Sequence, residues 1–137
     1  MTDTRASSSF ATQKSKLALL LWSVSPEQPT LCAAPFVYAT AAAAMDCTVE
    51  IHFAADAVRL LAPGVAARTF PSANATRSVL DHMQDAAALG VRFLACSMAL
   101  HERGLALEAL IPECTGAAGA TAFVVRTLDP QWATLVF

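Results

Sequence analysis

The chain has 137 residues, 55% hydrophobic and only 15% charged, with nine basic and eleven acidic side chains giving a formal charge of -2. Its length suits one domain able to bury roughly two-thirds of its extended surface, and a charge fraction well below the usual ~25% leaves apolar surface for self-association to cover. Near-neutrality, with no basic run beyond Arg5, Lys14 and Lys16, provides no field to gather nucleic acid or anionic lipid, so neither is expected as a partner.

Residues 1–14 are polar and serine-rich and lack the apolar stretch of a signal peptide, so a flexible tail is expected ahead of a single α/β domain over 15–137. The longest apolar runs, LALLLW and AAAAM, are far shorter than the ~20 residues that cross a bilayer, which predicts a soluble, cytoplasmic protein. LALLLWS, residues 17–23, is a continuous apolar run closed by SVSPEQP and predicts a central parallel strand. Residues 30–45 are alanine-rich, with Leu31, Ala34, Val37, Tyr38 and Ala41 at helical steps. CTVEIHF, residues 47–53, alternates and carries β-branched side chains, predicting a second strand. Asp56 follows in a loop or first helical turn, and Val58, Leu60 and Leu61 suggest a short helix ended by Pro63 and Gly64.

After the loop FPSANAT, residues 76–89 set Val79, Leu80, Met83, Ala86 and Ala87 against a polar side made of Arg77, Asp81, Gln84 and Asp85, with Gly90 as the stop. That amphipathic helix feeds a strand over 91–95. SMALHERG then begins a helix with Ser97 available as its cap and Gly104 as its end. A turn over 106–110 leads to the loop IPECTGAAGA; a helix over 119–128 is broken by Asp129 and Pro130, and a terminal strand over 134–137 closes the chain. This alternation predicts a three-layer α/β/α sandwich with a mostly parallel sheet.

The four cysteines, Cys32, Cys47, Cys96 and Cys114, contain no Cys-x-x-Cys pair, and in a chain without an export signal they read as reduced thiols. In open α/β sheets, sites lie beyond the carboxyl ends of the strands, where the third strand delivers Cys96. A helix starting just after it would favour thiolate over thiol through its unpaired N–H groups. The competing reading is structural, because free cysteine is among the most buried residue types. A zinc site from Cys96, His101 and a further cysteine is not expected, since a five-residue separation at a helix start is not a usual ligand spacing; no cofactor and no metal are expected. His101 reads either as a partly exposed helix residue or as an acid-base or partner-recognition group. Asp56 and Ser23 are turn or cap residues or else shape the pocket. Arg92 and Glu102 read as surface or interface residues, and Cys114 as the one other cysteine for a second redox role.

LGVRFLACSMALHERGL, residues 89–105, resembles the glycine, strand, Ala-Cys-Ser-Met and helix of the DsrE/DsrF-like sulfur-relay proteins, in the branch labelled predicted peroxiredoxins. LIPECTGAAGATAF, residues 110–123, is similar to the family segment with a glutamate and a glycine-alanine pair, here Glu113, Gly116 and Ala117. AAAAMDCTVEIHFAADAVRLL, residues 41–61, resembles its second strand and acidic turn, although Asp46 and Ala57 stand where the family frequently has glycine, so the pocket wall and adjacent turn are expected to differ. The resemblance implies a DsrEFH-like fold. It also implies a homo-oligomer, a trimer or hexamer, in which Cys96 takes sulfane sulfur as a persulfide from a donor protein and passes it to an acceptor thiol. Two other classes stand beside this sulfur carrier: a non-catalytic oligomeric scaffold or regulatory protein of the same fold, and a thiol-dependent redox enzyme. The local sequence lacks the threonine or arginine arrangement that a thiol peroxidase wants around peroxide.

Overall fold

Lys16–Leu21, an almost unbroken aliphatic run, forms strand β1 at an inner position of the sheet in the computed structural model, which describes residues 15–137. The tail expected over 1–14 lies outside the described residues. Beyond β1 the alanine-rich stretch divides into a 3-10 turn, Pro29–Leu31, and helix α1, Ala34–Ala44. Proline explains the division: Pro35 lacks a backbone N–H and fits only the first turn of a helix, so the expected helix over 30–45 cannot be continuous. β2 (Thr48–Phe53) follows, then a 3-10 helix (Ala55–Leu61) and α2 (Val79–Ala88). A capping box sets the start of α2: Ser78 Oγ accepts from the Asp81 N–H and the Asp81 carboxylate accepts from the Ser78 N–H. Gly90, at a φ of 90°, supplies the left-handed turn after α2. β3 (Arg92–Ala95), α3 (Ser97–Glu102), β4 (Cys114–Ala117), α4 (Ala120–Leu128) and β5 (Trp132–Val136) complete the chain.

All the strand pairs are parallel, in the order β4-β3-β2-β1-β5. Helices flank both faces, giving the α/β/α sandwich. Two further expectations need correction. β4 occupies part of the stretch read as a loop, because CTGA carries a glycine and none of the bulky alternation that marks a strand, and it pairs with β3 through a register shift. The last strand begins at Trp132 and ends at Val136, earlier than the expected 134–137.

Alternation along the strands divides the sheet into two unlike faces. Leu19, Leu21, Ile51, Phe53, Phe93 and Ala95 pack with Phe36 and Ala39 of α1 and with Val79, Met83 and Ala86 of α2 in the main core. Phe36 lies 5.9 Å from both Phe53 and Phe93, whose rings are 5.4 Å apart, all by centroids. The opposite face buries much less: Ala18, Phe123 of α4 and Trp132, with Leu20 partly covered. On that sparsely covered face a cleft opens.

Candidate functional site

Cys96 is the residue at which β3 becomes α3. Its N–H donates to the Phe53 carbonyl of β2 at 2.9 Å, extending the sheet ladder by one residue, while its own carbonyl accepts the Leu100 N–H at 3.0 Å as the N-cap of α3. The backbone is therefore held from both sides and the half-buried thiol makes no capping bond. It lines a cleft of about 370 Å³. Leu20, His52 and Phe53 contribute from the sheet, Met98 and Ala99 from α3, and Phe123 and Val124 from α4, with Trp22, Glu102 and Arg103 also on its wall. This is the carboxyl end of β1, β2 and β3, where a parallel sheet leaves its crevice.

The other residues singled out in the sequence are distributed differently. The cap position falls on Cys96, so Ser97 is the first residue of α3, exposed and off the cleft wall. His101 is exposed in the last turn of α3 and likewise does not line the cleft. Ser23 is exposed, its N–H donating to the Phe137 carbonyl at 3.0 Å. Asp56 stands behind the wall, accepting Ser25 Oγ at 2.8 Å, Arg59 at 3.1 Å and Arg103 Nε at 3.1 Å. The Ser25 hydrogen bond foremost, opposed by burial and reinforced by Arg103 and Arg59, holds its carboxyl below the usual aspartate range. Asp56 thus fixes the orientation of Arg103, which does line the cleft.

Cys114 opens β4 and packs against the main core, with its Sγ 3.5 Å from the Gly116 carbonyl. Burial pushes its thiol up, the Gly116 and Ala95 backbone groups acting in the opposite direction. Glu113 accepts a hydrogen bond from Gln84 of α2 at 3.2 Å. Cys32 is fully buried, and its thiol is also pushed up by burial. Of the four cysteines, Cys96 alone borders the cleft.

Three residues absent from the sequence-based site form a hydrogen-bonded group of which one member, His52, lines the cleft. Glu50 and His52 are buried side chains of β2 on the same face as Leu20, with His52 Nε2 2.9 Å from Glu50 Oε1. Arg126 of α4 reaches the same carboxylate, Nε to Oε1 at 2.7 Å and a terminal nitrogen to Oε2 at 3.4 Å. Its guanidinium carbon lies 4.0 Å from the Trp132 ring centroid, a cation–π contact. Burial is the largest single influence on Glu50 and opposes its ionisation, but the hydrogen bonds from Arg126 and His52, reinforced by the Coulombic attraction of the same two partners, hold the carboxyl below the usual glutamate range. His52 Nδ1 is buried without a hydrogen-bond partner, and the ring meets Phe123 edge-on at 5.3 Å. The available signal was VEIHF itself: an acid and a histidine two residues apart on one face of an otherwise buried strand.

Among the described residues, no three His, Cys, Asp or Glu side chains converge as metal ligands, and no helix is long and apolar enough to cross a membrane.

A model of the DsrE/DsrF-like family matches residues 16–137. Among solved structures, the ychN protein from E. coli superposes with a TM-score of 0.69 at 16% sequence identity, covering 91% of this chain and 99% of that one. The protein of unknown function MTH1491 from Methanobacterium thermoautotrophicum superposes with a TM-score of 0.61, also at 16% identity, covering 89% and 98%. These likenesses extend to the fold. No curated protein matches the chain.

Proposed function

The chain belongs to the DsrE/DsrF-like family, which is associated with sulfur relay, and on that premise we propose that it is a cytoplasmic sulfur carrier in which Cys96 accepts sulfane sulfur as a persulfide and hands it to a partner thiol. The observation that carries this reading is the position of Cys96, half-buried on the cleft at the carboxyl end of β3 while the other three cysteines lie away from it. A thiolate there attacks the sulfane sulfur of a donor, and the resulting persulfide presents its outer sulfur to the next nucleophile. One accessible cysteine is sufficient for such a relay. The largely apolar wall shields the persulfide from water, and four free thiols suit a reducing compartment.

In this reading the carrier is a trimer or hexamer. Trp22, Met98 and Val124 line the cleft, yet each is more than half exposed, and Val125 and Leu128 continue the apolar surface along α4. A second copy seated over them would remove that surface from water and deepen the cleft around Cys96.

Persulfide trapping with mass analysis tests the proposal. After exposure to one low-molecular-weight hydropersulfide donor, the wild type, Cys47→Ser and Cys114→Ser gain sulfur and pass it to an acceptor thiol, whereas Cys96→Ser gains none. Equal loading of wild type and Cys96→Ser removes the carrier role.

A further inference from the structure

His52 pairs in register with Leu94, two residues before Cys96, so the alternation of β3 brings the cysteine toward the same face of the sheet as the imidazole. Both side chains line the cleft. The histidine is only 4% exposed, and its two nitrogens have opposite fates: Nε2 is engaged by Glu50 at 2.9 Å, while Nδ1 has no partner. A buried polar atom left unpaired is destabilising, which calls for an explanation in a site rather than in a core. Glu50, kept ionised by Arg126, can only accept, so the shared proton belongs to Nε2. In the neutral ring, Nδ1 then carries a lone pair. A carboxylate that fixes the tautomer of a histidine whose free nitrogen serves a nucleophile is the division of labour of a catalytic triad.

We propose that His52 is the proton-relay residue of the Cys96 cleft, with Glu50 and Arg126 as its positioning residues; this rests on the sulfur-carrier reading above. Nδ1 takes the proton of the Cys96 thiol, and the thiolate attacks the outer sulfur of a hydropersulfide, R–S–SH. A new S–S bond forms at Cys96 as the donor's S–S bond breaks, and its electron pair leaves on R–S⁻, which recovers the proton from Nδ1. Cys96–SH and R–S–SH thereby become Cys96–S–SH and R–SH, with no further oxidant or reductant. His101, exposed on α3 and off the cleft wall, takes no part.

His52→Gln is the informative substitution, because its amide can still donate to Glu50 from near the Nε2 position but offers no basic nitrogen. With benzyl hydropersulfide as the probe, loading of Cys96 is expected to slow about 100-fold at neutral pH, the lower end of general-base contributions. Alkylation of Cys96 by iodoacetamide is expected to slow as well, and both pH–rate profiles should lose the inflection belonging to the imidazole. The charged and titratable groups facing that inflection are Glu50 on its own strand, Arg92 on β3, Arg126 on α4, and Cys96, Glu102 and Arg103 around the cleft. Nitrogen NMR of the wild-type imidazole supplies a measurement independent of the variant's folding. It is expected to find the proton on Nε2 and an Nδ1 resonance that moves when Cys96 is alkylated. Unchanged rates and profiles in a folded His52→Gln, a proton on Nδ1, or an Nδ1 resonance indifferent to Cys96 overturns the relay. If the wild type takes up no sulfur, the carrier reading falls separately, and the alkylation profile and NMR still decide whether His52 serves the thiol.

Discussion

The two faces of the sheet solve different problems with the same five strands. On the side of α1 and α2, three phenylalanines and a ring of aliphatic side chains close a core made of apolar atoms, where stability follows from area removed from water and from close packing. On the side of α4, a smaller apolar cluster shares its face with an ionised glutamate, its arginine, a half-satisfied histidine and an open cleft. A buried ion pair contributes little net stability against a well-packed apolar alternative, but removing one member leaves a charge stranded. The first face therefore holds the fold, and the second is specialised at some expense to it. Cys96 stands at the boundary, its backbone paired into the sheet and its side chain bordering both the main core and the cleft.

The largest effect that tests this contrast comes from truncating one aromatic residue on each face. Phe93→Ala should destabilise the protein by about 3–5 kcal/mol, as expected for a fully packed phenylalanine whose cavity cannot collapse. Phe123→Ala, whose ring already borders the cleft, should cost about 2 kcal/mol because less packing surrounds it. Urea unfolding of both variants is the measurement. Equal losses would mean that the α4 face is as tightly built as the other.

The buried charge should dominate the pH response of the second face. Arg126→Met leaves the Glu50 carboxylate with His52 at 2.9 Å and the exposed Arg92 at 3.8 Å, and at neutral pH it should destabilise by about 2–3 kcal/mol, below the range for a wholly buried pair because Arg126 is partly exposed and Arg92 remains. Folding holds the Glu50 carboxyl below its usual range. The stability this contributes is fully present above the unfolded value of about 4.3 and is lost as pH falls through the folded value. The difference between wild type and Arg126→Met should thus be widest above about pH 5 and should shrink below about pH 4. A gap of the same size at pH 3 and pH 7 would contradict an ionised, arginine-held Glu50.

The contrast between faces also explains which parts of the molecule were legible in the sequence. β1 and β3 announce themselves because strands buried on both sides are apolar almost throughout, β2 because its side chains alternate and include β-branched residues, and α2 because its polar side faces water. Cys96 could be assigned to a strand end from the same pattern. β4 could not, since CTGA draws its strand character from pairing with β3 and not from its own side chains. Ser97 looked like the cap by residue type, yet the ladder bond from Cys96 to Phe53 sets the helix start one residue earlier. The partnership of Glu50 with Arg126 spans 76 positions, and a local pattern carries no trace of such a contact. Asp56 and Ser23 illustrate the limit at turns: strand alternation does not extend into them, so their direction is set by Ser25, Arg103 and Phe137 from elsewhere in the chain.

The smallest effects should come from the cysteines on the dry side, and they sharpen the contrast by being small. Cys114 packs with the main core at the edge strand, and burial keeps its thiol protonated at neutral pH; Cys32 is held the same way within the core. Since thiolate is the reacting form, iodoacetamide at neutral pH should label Cys96 well before Cys114, and Cys32 only once the protein opens. Cys114→Ser exchanges a thiol for a slightly smaller hydroxyl that can donate to the Gly116 carbonyl, so a loss of about 1 kcal/mol or less is expected. Sulfur uptake at Cys96 should be unaltered. Peptide mapping of the labelling order, together with urea unfolding and persulfide loading of Cys114→Ser, checks each step. Labelling of Cys114 as fast as Cys96, or sulfur retention lost with Cys114→Ser, would bring β4 into the chemistry of the cleft and erase the division between the two faces.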